Sequence, residues 1–284
     1  MTKIGFLANE PEAETPVPVS QIPPPDTIPV KSVAQVHFPE ANRTFSYYND
    51  RFDLRVGDFV YVEGKFEGVR GQVLQVSRSF KIRLSDYKRV IGVADTRLSG
   101  RFYLSGSHFL TFSPHVLPYE KALTWFKAPE DKEEAYVTGD DSESFDLEKP
   151  WELNISREIV ERGERYYQEN RVSYLCVSRA SGKAIVEGTR AYEVEFAYQP
   201  SQGSVTNMTC DCPCFYHCKH EVAVILQLQE LLDGIEKNYA SLYEKTRYVA
   251  AVSRKSFFQF AGNGAQNGSF IWNPKKPRTR KKRH

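Results

Sequence analysis

Four of the five cysteines in this 284-residue chain lie within nine consecutive positions. Cys210 and Cys212 form one close pair, and Cys218 and His220 form a second pair with the same spacing. Three thiolates and one imidazole are a ligand set that a structural zinc ion takes tetrahedrally. Because protein atoms would fill all four positions, no vertex remains for a substrate or an activated water. The spacing therefore predicts one structural Zn²⁺ and argues against a hydrolase.

A disulfide framework accounts for these cysteines less well than a metal site does. It would need a distant partner for the cluster, and Cys176 is the single cysteine outside it. Residues 1–30 are rich in proline and carboxylates without an apolar run, so we expect no signal peptide and reduced thiols. The ligand register stays open, because Cys214 could replace Cys212. We expect His217 at the surface or behind the ligands.

The residues around the cluster resemble a known family. Cys-x-Cys-Pro, followed by Cys-Lys-His and the apolar run at 221–226, resembles the SWIM zinc finger. The stretch from Glu161 to Val172 is similar to the "RGxxYYxxGRV" helix-to-strand entry of bacterial-type SWIM domains. This resemblance covers about residues 151–232. It implies binding to DNA or to proteins, often beside a helicase-like ATPase.

Hydrophobic periodicity predicts the elements that hold the cluster. Apolar residues three or four positions apart, from Ile155 to Tyr166, predict an amphipathic helix. Cys218 and His220 are expected at the start of a helix that stops at Gly234, and a second helix is expected from Ile235 to about Phe260. Alternating runs between the helices predict four strands, at Tyr174–Val177, Ala184–Glu187, Ala191–Tyr198 and Ser204–Met208.

The N-terminal half is predicted to be an all-β domain. Leu54–Val62 followed by Gly71–Val76 resembles the "vGDxVxV…GxVxxV" strand pair of SH3-like barrels, which KOW-type modules and the N-terminal DNA-binding domain of the primosomal helicase share. The predicted strands are Val33–Phe38, Thr44–Tyr48, Phe59–Glu63, Gly71–Ser77, Phe80–Leu84 and Val90–Val93. We therefore expect an α+β chain, in which a small antiparallel β-barrel precedes a zinc-stapled α+β domain and a C-terminal helix.

The net charge is only +2, but acidic and basic residues are concentrated in different segments of the chain, and these segments mark domain boundaries. Residues 130–148 carry nine carboxylates and one lysine, which predicts a solvated linker, and the last ten residues carry seven cations. The resulting map is a disordered Pro-rich tail (1–30), a barrel (31–129), an acidic linker (130–150), the SWIM-like domain (151–233), a helix (234–261) and a disordered basic tail (262–284).

Two basic regions predict contacts with nucleic acid. In the barrel, Lys81 and Arg83 alternate with apolar residues, Lys88 and Arg89 follow, and Tyr87 and Phe102 are interleaved aromatics. An ordinary solvated strand face explains the same pattern, and this alternative stays open. The tail cations would add affinity that is independent of base sequence. They are Lys275, Lys276, Arg278, Arg280, Lys281, Lys282 and Arg283.

These observations together predict a non-catalytic zinc protein. No Walker loop, Gly-x-Ser-x-Gly or His-Glu-x-x-His occurs, and no apolar run reaches the length of a membrane span. We expect an accessory factor that binds nucleic acid, DNA in preference to RNA, with a helicase-like ATPase as a further partner and without a small-molecule substrate. The expected location is the cytoplasm, at the nucleoid in a bacterium or in the nucleus in a eukaryote. The alternative is a protein-interaction adaptor that binds no nucleic acid.

Overall fold

The chain is divided into two compact units. A computed structural model describes residues 31–113, 115–129, 143–149, 154–243, 248–262 and 268–273. The five-stranded unit contains residues 31–95 and 124–129, and the nine-stranded unit contains the described residues of 96–123 and from 143 onward. Residues 96–123 thus group with the nine-stranded unit, whereas the sequence predicted one domain from 31 to 129. The Pro-rich tail, most of the acidic linker and the basic tail lie outside the described residues.

The five-stranded unit is one antiparallel sheet. Its strands are β1 (Ser32–Phe38), β2 (Arg43–Asn49), β3 (Phe59–Val62), β4 (Gly71–Ser77) and β5 (Val90–Val93). They lie in the order β2-β1-β4-β3-β5. Alternate side chains of the strands, including Val36, Val60 and Val73, are buried in one apolar core. The alternation of β-branched and polar residues, visible in the sequence, therefore gives this sheet one buried face.

The predicted closed barrel is not found among the described residues. The sheet is open, and its edge strands β2 and β5 approach each other through a single parallel bridge between Tyr48 and Arg89. The predicted strand Phe80–Leu84 is also wrong. Residues 80–83 have no regular structure, and a 3₁₀ turn follows at Leu84–Asp86. The sheet therefore keeps five strands and two edges instead of a continuous ladder.

The second unit is built on a nine-stranded sheet. Its strands are β6 (Gly100–Ser105), β7 (Phe109–Phe112), β8 (Ser144–Asp146), β9 (Val172–Ser178), β10 (Ser181–Glu187), β11 (Ala191–Gln199), β12 (Ser204–Cys210), β13 (Tyr248–Ser253) and β14 (Phe270–Asn273). The order is β14-β6-β7-β13-β9-β10-β11-β12-β8. Neighbouring strands are antiparallel, except that β14 runs parallel to β6. β9 to β12 confirm the strands predicted before the cysteines.

The nine-stranded unit also contains the described α-helices. These are α1 (Tyr119–Leu123), α2 (Arg157–Gln168), α3 (Lys219–Tyr243) and α4 (Arg254–Ala261). α3 buries Val224, Leu228 and Ile235 in the main core, together with Val194 and Val205 of the sheet. α2 in turn packs on α3. None of the helices that the structure describes combines the length and apolarity needed to cross a membrane.

The C-terminal part departs from the predicted helix Ile235–Phe260. α3 continues through Gly234 to Tyr243, β13 follows at Tyr248–Ser253, and α4 ends at Ala261. β13 is inserted between β7 and β9, where its apolar residues are buried on both faces. A short apolar run of this kind has no period that separates a buried strand from a buried helix. Two further strands, β8 and β14, lie where the sequence predicted a linker and a tail.

Gly163 of α2 sits where the two long helices approach closely. A Cβ at this position would overlap Val222 of α3 and lie 3.1 Å from the backbone oxygen of Lys219. The glycine of the Arg-Gly-x-x-Tyr-Tyr stretch is therefore required by helix packing. Its contact lies at the first turn of α3, beside His220.

We predict that Gly163→Ala lowers the free energy of unfolding by about 1–3 kcal/mol, because the added methyl group has no free volume at this helix contact. Urea denaturation followed by circular dichroism measures the change. The control is Glu164→Ala on the exposed side of α2, which should change stability by less than about 0.5 kcal/mol. Equal stabilities for the two variants would show that α2 and α3 do not pack as described.

Candidate metal centre

Four side chains converge at the junction of a strand end and a helix start. Cys210 is the last residue of β12, Cys212 lies two residues further, and Cys218 and His220 stand at the beginning of α3. One ligand atom from each lies within 4.8 Å of all the others, and three of the four side chains are buried. This cluster can hold a metal ion. Cys214 is exposed and does not belong to it.

The distances between the ligand atoms match those expected around a tetrahedrally coordinated ion. Nδ1 of His220 lies 3.5 Å from Sγ of Cys210 and 3.5 Å from Sγ of Cys218. Bonds of about 2.3 Å to sulfur and about 2.0 Å to nitrogen, the dimensions of zinc, give tetrahedral edges of about 3.5 Å between the two atom types. The imidazole thus presents Nδ1 to the centre of the cluster. The two measured edges fit an ion at that centre.

Each sulfur in the cluster also accepts a backbone N–H. The amide of Cys212 donates to Cys210, the amide of Cys214 donates to Cys212, and the amide of Glu221 donates to Cys218. Hydrogen bonds of this kind favour the thiolate, which is the form that binds a metal. The backbone of the loop is therefore folded around three sulfur atoms in the geometry that suits three thiolates.

The thiols share their protons unequally because they lie so close together. A hydrogen bond from Cys210, aided by His220, lowers the pKa of Cys218 to about 4. Donating that hydrogen bond, and burial, raise the pKa of Cys210, while burial raises the pKa of Cys212 to about 12. The three sulfurs therefore cannot all be thiolates on their own, and a divalent cation would be needed to hold them in that form.

Cys218 also caps the N-terminus of α3, in a pattern that can be recognised in the sequence. In a capping box, the side chain of a small polar residue just before the helix accepts the N–H of the third helical residue. The Glu side chain of that third residue in turn accepts the backbone N–H of the capping residue. Here the Cys218 thiol accepts the N–H of Glu221, and the Glu221 carboxylate accepts the N–H of Cys218 at 3.0 Å. Cys-Lys-His-Glu thus replaces the usual Ser-x-x-Glu. The cap fixes the direction of the Cys218 thiol.

His217 lies behind the ligand cluster, which is one of the two positions that the sequence left open. Its Nδ1 lies 2.9 Å from Glu221, and its Nε2 lies 2.8 Å from Glu143, the residue before β8. A protonated ring can donate to both carboxylates. The ring also meets the edge of Phe145 at 4.9 Å. Burial raises the pKa of Glu221 to about 7. His217 therefore connects the loop of the cluster to the edge strand β8.

Aromatic rings hold the imidazole of His220 in place. Tyr192 stacks on it with a centroid distance of 4.3 Å, and Tyr166 meets it edge-on at 5.4 Å. Its Nε2 is buried without a hydrogen-bond partner among the described residues. The ring orientation thus comes from packing between Tyr192 and Tyr166. Nδ1 is left facing the three sulfurs.

The predicted nucleic-acid residues have different environments. Lys81, Arg83 and Lys88 are exposed, and none of them forms an ion pair within the described ranges. Arg89 is half-buried, pairs with Asp50 and lies over the ring of Tyr48 at 5.4 Å. Its guanidinium therefore helps to hold the edges of the five-stranded sheet. Phe102 is fully buried in the nine-stranded unit. The seven tail cations lie outside the described residues.

Sequence reasoning missed the contacts that organise the site. The contacts of His217 with Glu143 and Glu221 join residues up to 74 positions apart, and no local pattern reveals the more distant one. The capping role of Glu221 was visible, since it stands three residues after Cys218. The exposed aromatics Phe215 and Tyr216, next to the predicted ligands, were not singled out.

No protein-family model, no curated protein and no solved structure matches this chain. The interpretation of the site therefore rests on its own residues. Those residues supply a closed donor set of three sulfurs and one nitrogen. They also supply the hydrogen bonds and ring contacts that orient the donors.

We predict that Glu221→Ala lowers the free energy of unfolding by about 1–2 kcal/mol, since the Cys218 amide loses its acceptor and His217 loses one partner. Thermal unfolding of the purified protein measures this change. Glu236→Ala, an exposed position on the same helix, is the control. If both variants unfold alike, the carboxylate of Glu221 does not cap α3.

Proposed function

We propose that this chain is a non-catalytic zinc protein that binds nucleic acid as an accessory factor. The observation that carries the proposal is the convergence of Cys210, Cys212, Cys218 and His220. All four donors come from protein, so an ion held there has no open position for a water or a substrate. This supports a structural role for the metal and a binding role for the unit built around it.

The donor chemistry supports zinc over other ions. Three thiolates and one imidazole are soft and borderline ligands, which select zinc or iron–sulfur chemistry and disfavour calcium and magnesium. A mixed Cys₃His set with tetrahedral edges is a common structural zinc arrangement. The proposed cofactor is therefore one Zn²⁺, bound through Nδ1 of His220.

The arrangement also supports the resemblance to SWIM fingers. The first Cys pair ends a strand, and the Cys-x-His pair starts a long helix, so the ion would join a hairpin end to a helix N-terminus. The Arg-Gly-x-x-Tyr-Tyr stretch lies in α2, and the strand β9 follows this helix. We propose that the chain carries a bacterial-type SWIM module, with a helicase-like ATPase among its candidate partners and the cytoplasm as its location.

The charge distribution supports nucleic acid as the ligand. Lys81, Arg83 and Lys88 are exposed on the five-stranded unit, and seven cations follow residue 274. Phosphates bind such residues by releasing counterions, without regard to base sequence. A second candidate function is a protein-interaction adaptor. It is favoured by the metal centre itself, because three thiolates around Zn²⁺ carry a net negative charge that phosphates would avoid.

We predict that the purified protein contains about one zinc per chain and that Cys210→Ser or His220→Ala releases it. Loss of the ion should destabilise the nine-stranded unit, in which β9 to β12 share one core with β7 and β13, and leave the five-stranded unit folded. Structural zinc contributes on the order of 10 kcal/mol to the folding of small modules. Elemental analysis measures the metal, and limited proteolysis locates the unfolded region.

Cys214→Ser is the matched control for this experiment. Its thiol is exposed and outside the cluster, so the variant should retain its zinc. Loss of zinc from Cys214→Ser with retention in Cys212→Ser would show that the ligand register is shifted. Protein purified without chelators and free of any transition metal would contradict the zinc proposal.

We predict that DNA binding falls steeply with salt and that deletion of residues 275–284 removes most of that dependence. If each of the seven cations contacts one phosphate of duplex DNA, their removal should reduce the magnitude of the slope of log K against log salt by about 6. Fluorescence anisotropy across a salt series measures the slope.

A tail variant with Pro277→Ala and Thr279→Ala keeps all seven cations and serves as the control. It should bind as the full chain does. Absence of DNA binding at low salt would instead favour the adaptor function.

A further inference from the structure

The loop between the ligands carries two exposed aromatic rings. Residues 211–217 have no regular structure, and within them Phe215 is 100 % exposed and Tyr216 is 87 % exposed. Most aromatic residues of this unit are buried in the core. Exposing two neighbouring aromatic rings to water is unfavourable because of the hydrophobic effect. The loop nevertheless keeps both rings at the surface.

The cluster fixes the ends of this loop on both sides. Cys212 precedes the exposed rings and Cys218 follows them, and both belong to the ligand cluster. His217 adds a contact to Glu143 beside β8 at 2.8 Å. The positions of Cys212, Cys218 and His217 therefore restrict where the tip of the loop can lie.

Cations flank the same loop at both of its roots. Arg190 donates to the backbone oxygen of Asp211 at 2.8 Å and lies over Tyr192 at 5.2 Å. Lys219 directly follows the loop and lies over Tyr166 at 4.6 Å, where Arg171 lies over the same ring at 5.7 Å. Tyr192 and Tyr166 are the two rings that pack on His220.

Acidic neighbours compensate part of this charge. Arg171 pairs with Glu169 at 2.9 Å, and Arg190 lies 3.9 Å from Asp211, whose side chain is only 12 % exposed. Lys219 forms no ion pair among the described residues. The side chains of Arg171 and Arg190 are 44 % and 49 % exposed. Their solvent-exposed parts therefore place positive charge at the roots of the loop.

We propose that this loop is a binding site for single-stranded nucleic acid, in which Phe215 and Tyr216 stack on bases and Lys219, Arg190 and Arg171 contact phosphates. The inference rests on the proposed nucleic-acid function and assigns it to a surface of the nine-stranded unit. Aromatic rings beside cations are the combination that binds single strands without base specificity. A duplex keeps its bases stacked internally and offers these rings no partner.

The test compares a labelled oligodeoxythymidylate of about 12 nucleotides, within the site sizes of single-strand binders, with a duplex of equal length. Binding is measured by fluorescence anisotropy on the full chain. The variant Phe215→Ala/Tyr216→Ala should bind the single strand about 10- to 100-fold more weakly and bind the duplex within about twofold of the unchanged chain. Phe258→Ala removes another exposed aromatic of this unit and should leave both affinities unchanged.

A charge variant tests the phosphate contacts separately. Lys219→Gln should lower the slope of log K against log salt for the single strand by about 0.7. Lys237→Gln, an exposed lysine further along α3, should not change this slope. Zinc content and circular dichroism of every variant must equal those of the unchanged chain, which shows that the loop support is intact.

The outcomes separate this inference from the broader proposal. If the unchanged chain binds both probes and the aromatic variant binds the single strand equally well, the loop is not the site, and the rings are left to contact a protein. If the unchanged chain binds neither probe at low salt, the nucleic-acid function itself is wrong.

Discussion

The sulfur of Cys218 contacts both the backbone of α3 and the imidazole of His220, and the geometry of the site depends on this. It accepts the N–H of Glu221 as the cap of α3, and it lies 3.5 Å from the Nδ1 of His220. A helix N-terminus must have its amides satisfied, so the cap fixes where the sulfur points. The position of α3 is fixed in turn by burial of residues such as Val224 and Leu228. The ligand cluster therefore takes its shape from the hydrophobic core of the nine-stranded unit, and the loop adds little to it.

The same arrangement explains why the metal site lies at the junction of two elements. β12 brings Cys210 to the end of a strand that pairs with β11 on one side and with β8 on the other. His217 then connects the loop to Glu143, just before β8. An ion held by the cluster would add a third connection between the sheet and α3, beside the core packing and the His217 contacts. Loss of the ion would leave three sulfurs crowded together at a buried site with no cation to compensate a thiolate, which is unfavourable.

Local pattern was enough to predict strands in both units. Gly71–Ser77 and Val90–Val93 were predicted at their observed bounds, and the four strands before Cys210 were found within a few residues. The failures share a physical cause. The strand β7 pairs with β13 and the strand β6 pairs with β14, each more than 130 residues later in the chain, and this long-range pairing places 96–123 with the nine-stranded sheet. No local spacing encodes that pairing, and the buried run of β13 has no period that excludes a helix.

The short loop between Cys212 and Cys218 is also consistent with the exposure of the aromatic residues at its tip. Six peptide steps separate Cys212 from Cys218, so at about 3.3–3.6 Å per residue the chain can reach only about 10 Å from the cluster before it returns. A loop of this length keeps Phe215 and Tyr216 close to the cluster, where both rings are exposed. The backbone of the loop is already ordered when the unit folds. Binding of a ligand to these rings would therefore cost little further conformational entropy. Buried ligands thus maintain a surface that hydrophobic collapse would otherwise remove.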